Sequence, residues 1–558
     1  MNRFGCEKSW FPKARFGMFA HFGLYTLLGG NENTVRSTTS KSDYKALMKS
    51  FNPKKFDAAE WVGLAIEAGA KYLVPTVKHA EGFCLWDSNV TEIKATNTPF
   101  RRDMLKELSA ACQEKKLRLG VYYNCETWLN EGDDIWNKRR MAYADFVEEQ
   151  IRELMTGYGM ISVLWFDHSD PRLSPARMKK IIQMVNKLQP ECVVNNRGVN
   201  PNTCGKLLGD YITPERFIPT CVEDRHPFVE CCDAIGVKSW GYCKEESFWS
   251  AAELITRLSA CAASGFNYLL NVEPEPSGRI RPECSERMRA VGAWIGKNKV
   301  AMDADPCPLI PVDLGVLDRP SLGRATGSGN TLFVHLHRAP KSDEILIPGI
   351  GGNVKCATIL SSGRQLRTSS LGDDLIIANI PPSSGAEPFV IKVCLKGALR
   401  RLARRQTYNS VMEPLPGGTI HLTYATAALT AANGVCVHAV YPRVNKLGED
   451  RTAICNMLHV GDQLSWKIKL RGKGCYDVFV EIGCVESQSE ATFMLKANGI
   501  DQIEGITWVT GGCDIPGAKL IGRIELADGA SELALKVCNM PHGMFPDVYS
   551  ITLAPCGK

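Results

Sequence analysis

The chain has 558 residues, enough for roughly three to four domains. Hydrophobic residues make up 44% of it and charged residues 23%, which excludes a mainly disordered chain. A net charge of +6, from 66 basic and 60 acidic residues, is too weak over this length to mark a nucleic-acid partner, and no apolar run reaches the ~18 residues of a membrane helix.

In the first 300 residues short apolar runs alternate with amphipathic stretches. The runs fall at 16–21, 72–77, 117–123, 161–167, 192–196 and 268–272. Helices are predicted over 57–69, ended by Gly69, and over 103–116, where Met104, Leu105, Leu108, Ala111 and Cys112 recur with a period near 3.6. Two more are predicted at 139–158 and 177–188. This alternation is that of a parallel sheet with helices outside it. No GxGxxG follows the first run, which weakens an open dinucleotide-binding sheet, and the length suits a barrel of ~250 residues.

Prolines at 306, 308 and 311 mark a change. Short alternating strands such as 331–335 and 344–347 then predict a small β domain over 307–397. His335-Leu-His337 falls here, on a strand expected to be half exposed, and is a weak metal motif. The basic stretch 396–405 reads as a solvated linker rather than a docking site for an acidic partner. From 406 to 558 alternation resumes (Leu464, Trp466, Ile468, Leu470; Tyr476, Val478, Val480, Ile482; Leu533, Leu535, Val537), the pattern of a second β-sandwich. The expected architecture is α/β: a (β/α)8-type barrel over 1–300, then two all-β, sandwich-like domains.

Among 22 cysteines there is no CxxC pair, so ribbon-type zinc is not expected. A chain this large needs no disulfide framework, and reduced, buried thiols are the natural reading. The first residues carry no apolar signal segment. The expected compartment is therefore cytoplasmic, or secreted or periplasmic if a signal has been removed. The oligomeric state is left open.

In a βα barrel, functional groups sit where strands end. The polar residues ending these runs are His21; Lys78 and His79; Tyr122 and Tyr123; Asp167; Asn195, Asn196 and Arg197; and Asn271. Such a ring of hydroxyl, imidazole, amide and charged groups suits sugar recognition. A strand-end carboxylate with a second carboxylic acid nearby is the apparatus of glycoside hydrolysis. Asp167 is the natural nucleophile candidate, with a helix cap or buried ion pair as the plainer alternative. No HxxxH or HExxH occurs in the barrel region, so no catalytic metal is expected.

The blocks that carry these residues also carry a resemblance. Trp10-Phe-Pro-Lys-Ala-Arg-Phe-Gly-Met-Phe-Ala-His21-Phe-Gly-Leu-Tyr25, Lys78-His79-Ala-Glu-Gly-Phe-Cys-Leu-Trp86, Leu-Gly-Val-Tyr122-Tyr123, Leu-Trp-Phe-Asp167, Asn-Asn-Arg197-Gly, Gly209-Asp-Tyr-Ile-Thr-Pro-Glu215 and Ser239-Trp240-Gly-Tyr follow in order over about residues 10–300. They resemble the family 29 glycoside hydrolases, the α-L-fucosidases. The resemblance implies an exo-acting, retaining enzyme that releases terminal L-fucose from a fucosylated oligosaccharide or glycoconjugate, with no catalytic cofactor. Asp167 matches the nucleophile. The acid/base matches Glu215, in Thr-Pro-Glu, which is favoured, or Glu230, in Phe-Val-Glu-Cys-Cys. His21, Glu32, His79, Tyr122, Arg197 and Trp240 match positions that hold the fucose. A glycosidase for a related sugar and a non-catalytic glycan-binding barrel are the rival readings.

Two departures from the family pattern stand out. Ala80 replaces a second histidine, so one hydroxyl contact is missing or comes from elsewhere. Glu273, in Asn271-Val-Glu273-Pro, replaces a glycine and is expected to bring a side chain to the leaving-group side. Together they predict a selective enzyme, slow on simple aryl fucosides relative to a preferred glycan. The last ~150 residues, through Gly474-Cys-Tyr476-Asp-Val-Phe-Val, Trp508-Val-Thr-Gly-Gly and Phe545-Pro-Asp547-Val-Tyr549, resemble a galactose-binding-like carbohydrate-binding module. Such modules often hold a structural Ca²⁺.

Overall fold

The computed structural model describes residues 7–130, 142–198, 208–216, 218 and 228–307, and most of the chain from there to residue 556. The longest undescribed stretches of that later part are 314–321, 400–411 and 431–438, so residues 400–405 of the basic stretch lie outside the described residues. The chain divides into two compact units. One is 1–216 with 227–305 and 383–390; the other is 217–226 with 306–382 and 391–558.

The first unit is a closed parallel barrel. Its strands are β1 (Phe16–Ala20), β2 (Tyr72–Lys78), β3 (Arg118–Asn124), β4 (Ile161–Asp167), β5 (Val193–Val194), β6 (Tyr211–Ile212), β7 (Phe228–Ala234) and β8 (Asn267–Val272). They pair in the order β5-β4-β3-β2-β1-β8-β7-β6. A parallel bridge between Asn195 and Tyr211 joins the two ends. The outer helices start where the chain supplies a cap. Asp57 accepts from the Ala59 and Glu60 amides at the start of Ala58–Glu67, and Asp103 does the same for Met104–Lys115. Ser250 and Glu253 form a reciprocal capping box on Ala251–Ala263. Each such cap stabilises its helix by ~1 kcal/mol. Gly69 follows Ala58–Glu67 at φ 80°, where a side chain would be strained.

Alternation decides which residues fill the barrel. Phe19 of β1, Tyr72 and Val74 of β2, Tyr122 of β3, Val163 and Trp165 of β4 and Leu269 of β8 all point inward and pack as one cluster. Continuing each series by two residues lifts the next side chain to the mouth. That is how β1 delivers His21, β3 Asn124 and β4 Asp167. The Tyr72 ring fits because β1 has Gly17 opposite it: a Cβ there would fall within the van der Waals envelope of that ring. Gly17→Ala is expected to destabilise the barrel by ~1–3 kcal/mol, the usual cost of overpacking. Urea unfolding followed by the buried tryptophans checks this.

The second unit is all β. One nine-stranded sheet draws its strands from Asp305–Cys307 through Phe389–Leu395. Beyond it, a six-stranded and a five-stranded sheet share one apolar core. That core takes Val478, Val480 and Ile551 from the larger sheet and Leu464, Trp466 and Leu535 from the smaller. His335, expected on a half-exposed strand, is fully buried and pairs with Thr326 Oγ1 at 2.9 Å; burial pushes its pKa down to about 4. Among the described residues no helix is long and apolar enough to cross a membrane, and most of the described cysteine side chains are buried. No group of three or more His, Cys, Asp or Glu side chains is placed to hold a metal among the described residues either.

Candidate active site

Asp167 ends β4 inside the mouth of the barrel. Its Oδ2 accepts from Tyr122 Oη at 2.7 Å and its Oδ1 from Arg197 Nη1 at 3.1 Å. Burial alone would raise its pKa, but Arg197 and then His168 outweigh that and hold it below the ordinary carboxylate value. Asp167 is thus an oriented anion.

Arg197 is fixed before any ligand arrives. Its Nε donates to Thr213 Oγ1 at 2.7 Å, its Nη2 to the Thr213 carbonyl at 2.9 Å, and its plane lies 4.7 Å over Trp165. The Nη1 that binds Asp167 also donates to Glu215 Oε2 at 2.9 Å. One nitrogen therefore bridges the two carboxyl groups. Their bonded oxygens can stand no more than about 6 Å apart, a spacing compatible with the ~5–5.5 Å of retaining pairs. Glu215 is the exposed end of this bridge and Asp167 the buried end.

Glu230 lies elsewhere. It is the third residue of β7, four residues or about 13 Å of tilted strand short of that strand's end. It is fully buried, accepts from Trp165 Nε1 at 2.9 Å and from Tyr72 Oη, and burial pushes its pKa up to about 7.

The remaining predicted residues line the mouth. His21 Nδ1 is 2.7 Å from Asn271 Oδ1, while Asn271 Nδ2 donates to the Trp240 carbonyl at 2.6 Å. A carbonyl can only accept, so the amide oxygen faces His21 and the proton sits on Nδ1. Burial, with His79 nearby, pushes the His21 pKa down to about 3. The ring is therefore neutral and its Nε2 is a bare acceptor. His79 stacks on Tyr122 at 5.6 Å, and its Nδ1 lies 3.6 Å from the buried Glu81. Trp240 stands 5.2 Å from the His21 ring, with Arg216 4.9 Å over its own. Glu32 is buried, and its Oε2 accepts from Ser239 Oγ at 2.5 Å and from the Trp240 and Gly241 amides at 3.2 and 3.3 Å. That oxygen ties down the segment that presents Trp240.

Three strand-end residues serve the frame. Tyr123 points outward to Gln150 Oε1 at 2.8 Å. Asn195 bonds both the amide and the carbonyl of Phe166. Lys78 is buried, with Nζ on the carbonyls of Asn124 and Glu126 at 2.6 and 2.9 Å. Glu273 does not reach the leaving-group side as expected. It is fully buried, its Oε2 is 3.1 Å from Arg281 Nη1, and burial and Glu246 push its pKa up to about 8. A carboxylate next to a buried guanidinium turns inward rather than toward the mouth.

Five residues of the site went unread in the sequence. Asn124 donates to Tyr122 Oη at 3.1 Å, and Thr213 holds Arg197. Asn124 stands two residues along β3 from the inward-facing Tyr122, so strict alternation could have found it, whereas Thr213 follows a strand too short to show a period. His168, at φ 49°, and Glu126 form a pair beside Asp167, with Arg36 on Glu126 at 2.9 Å. No periodicity marks them.

Residues 6–300 match the family model for alpha-L-fucosidase. The chain is 28% identical over 324 residues to the tissue alpha-L-fucosidase of Rattus norvegicus, covering 53% of this chain and 69% of that one. A structure of the family 29 alpha-L-fucosidase from Bacteroides thetaiotaomicron, a covalent intermediate trapped with 2-fluoro-fucosyl fluoride, is 27% identical. It superposes with a TM-score of 0.59 over 69% of this chain and 94% of that one. The alpha-L-fucosidase of Vibrio sp. strain EJY3 shares the fold over 100% of this chain and 98% of its own, at 22% identity and a TM-score of 0.71.

Proposed function

We infer the chemistry of the site from the premise that the chain belongs to the alpha-L-fucosidase family. It is a retaining glycoside hydrolase that removes L-fucose by double displacement through a fucosyl-aspartate, with no catalytic cofactor.

In the proposed assignment Asp167 attacks the anomeric carbon and Glu215 is the acid/base. The observation that carries this is the Arg197 bridge, which holds both carboxyls at one nitrogen, one buried and one exposed. Glu215 donates a proton to the departing glycosidic oxygen. It then takes one from the water that attacks the fucosyl-enzyme. Glu230 serves this role poorly, because its two oxygens are occupied below the sugar. His21 Nε2 accepts a sugar hydroxyl, His79 and Tyr122 contribute to the same wall, and Trp240 offers its face to the C–H side and the methyl group. Glu32 acts mainly by fixing Trp240. The preferred substrate is a terminal fucose on an oligosaccharide or glycoconjugate.

The test is ¹H NMR of the first product formed from an aryl α-L-fucoside. The α anomer of L-fucose is expected to appear before mutarotation. The β anomer first would contradict retention, and release of no fucose from the aryl substrate or from a panel of fucosylated oligosaccharides would overturn the assignment.

A further inference from the structure

Resting on the reading of Asp167 as the nucleophile, we propose that Glu230 is a positioning residue: its carboxyl group sets the Trp165 indole, and through that ring the two side chains that hold Asp167.

The chain of contacts is continuous. Glu230 Oε1 accepts from Trp165 Nε1 at 2.9 Å, the single hydrogen bond an indole can donate. Glu230 Oε2 is held in turn by Tyr72 Oη, whose ring is seated by the absence of a side chain at Gly17. The indole thus has one orientation. On it rest both partners of the nucleophile. Tyr122 stacks at 5.5 Å with its plane tilted only 17°, and Arg197 lies 4.7 Å over the ring. Tyr122 Oη and Arg197 Nη1 then take the two oxygens of Asp167.

A buried carboxyl group in an aromatic barrel floor is costly. Leucine or phenylalanine would pack such a floor without desolvating a polar group. A group of this kind is explained by what it orients. Two donors, an indole N–H and a phenol O–H, converge on it, and an apolar residue would leave both unpaired. Glutamine keeps the indole paired: its carbonyl accepts from Trp165, while its amide reverses the second contact by donating to Tyr72 Oη.

The experiment compares Glu230→Gln, Glu230→Leu, Trp165→Phe and the Leu/Phe double variant on an aryl α-L-fucoside, with circular dichroism and L-fucose binding as controls. Glu230→Gln is expected to keep kcat within about twofold. Glu230→Leu and Trp165→Phe are each expected to lower kcat about 10- to 100-fold with KM changed less than about threefold. The double variant should fall no further than the worse single one, because both act through one hydrogen bond. Should Glu230→Leu fail to fold, Trp165→Phe decides: a wild-type kcat overturns the proposal, and a drop beside an active Glu230→Gln upholds it. A Glu230→Gln enzyme that loses glycan hydrolysis but is rescued by azide on activated substrates would make Glu230 the acid/base and overturn the proposal too. Failure of the nucleophile reading is distinguishable, since it would show as a covalent label on another residue while these kcat ratios persisted.

Discussion

Asp167→Ala is expected to fold and yet to lose turnover by about 10³- to 10⁵-fold, equivalent to ~4–7 kcal/mol of transition-state stabilisation. Asp167 ends β4 at the mouth, with Tyr122 and Arg197 on its two oxygens, so in the proposed assignment its loss removes the attacking group and leaves the rest of the pocket in place. The barrel should survive, because the side chain contributes nothing to the Phe19–Tyr122–Trp165 packing beneath it. KM for an aryl fucoside should change much less than kcat. Azide should restore part of the rate by attacking from the side the carboxylate vacated. One inversion then gives β-L-fucosyl azide. Retention of more than a few per cent of the wild-type rate by folded protein would remove Asp167 from the role.

Glu215→Ala should give the complementary result. A general acid matters in proportion to how poor the leaving group is. Hydrolysis of a natural glycan should fall by about 10²- to 10⁴-fold, while an aryl fucoside with an activated phenol still forms the fucosyl-enzyme and then stalls for want of a base. Added azide needs no base and should release the intermediate. It attacks from the face the leaving group left, so the product is α-L-fucosyl azide, opposite in configuration to that of Asp167→Ala. The two azides are distinguished by the anomeric coupling in ¹H NMR. An unchanged rate on both substrates with Glu215→Ala, and α-azide from Glu230→Ala instead, would exchange the two roles.

Much of the first unit was readable in the sequence because its runs are apolar throughout. The expected run at 161–167 coincides with β4, and 72–77 and 268–272 fall within a residue of β2 and β8. Helix boundaries followed from Asp57, Asp103 and Gly69, which cap and stop helices for local reasons. β7 was not legible as a strand. Glu230 breaks its apolar run from inside the barrel, and Asp233 does so from outside, where it pairs with Arg257 at 2.5 Å. β6, at two residues, is too short to show a period. The same limits apply to the site. Strand ends announced His21, Asp167 and Arg197, but whether a polar residue points in, out or along the sheet depends on register. That is why Tyr123 and Asn195 serve the frame while their neighbours serve the mouth. The bonds of Glu32 to the Trp240 and Gly241 amides join segments some 200 residues apart, a pairing no local pattern carries.

The most direct test of the account is covalent trapping. The protein is incubated with 2-fluoro-α-L-fucosyl fluoride, whose fluorine slows both steps and whose fluoride leaving group favours formation of the intermediate over its hydrolysis. It is then quenched, digested and read by tandem mass spectrometry. The account predicts one 2-fluorofucosyl group per chain, esterified to Asp167 and accumulating as activity is lost. A label on any other carboxylate, or a chain that hydrolyses fucosides with retention and never carries a label at Asp167, would contradict it.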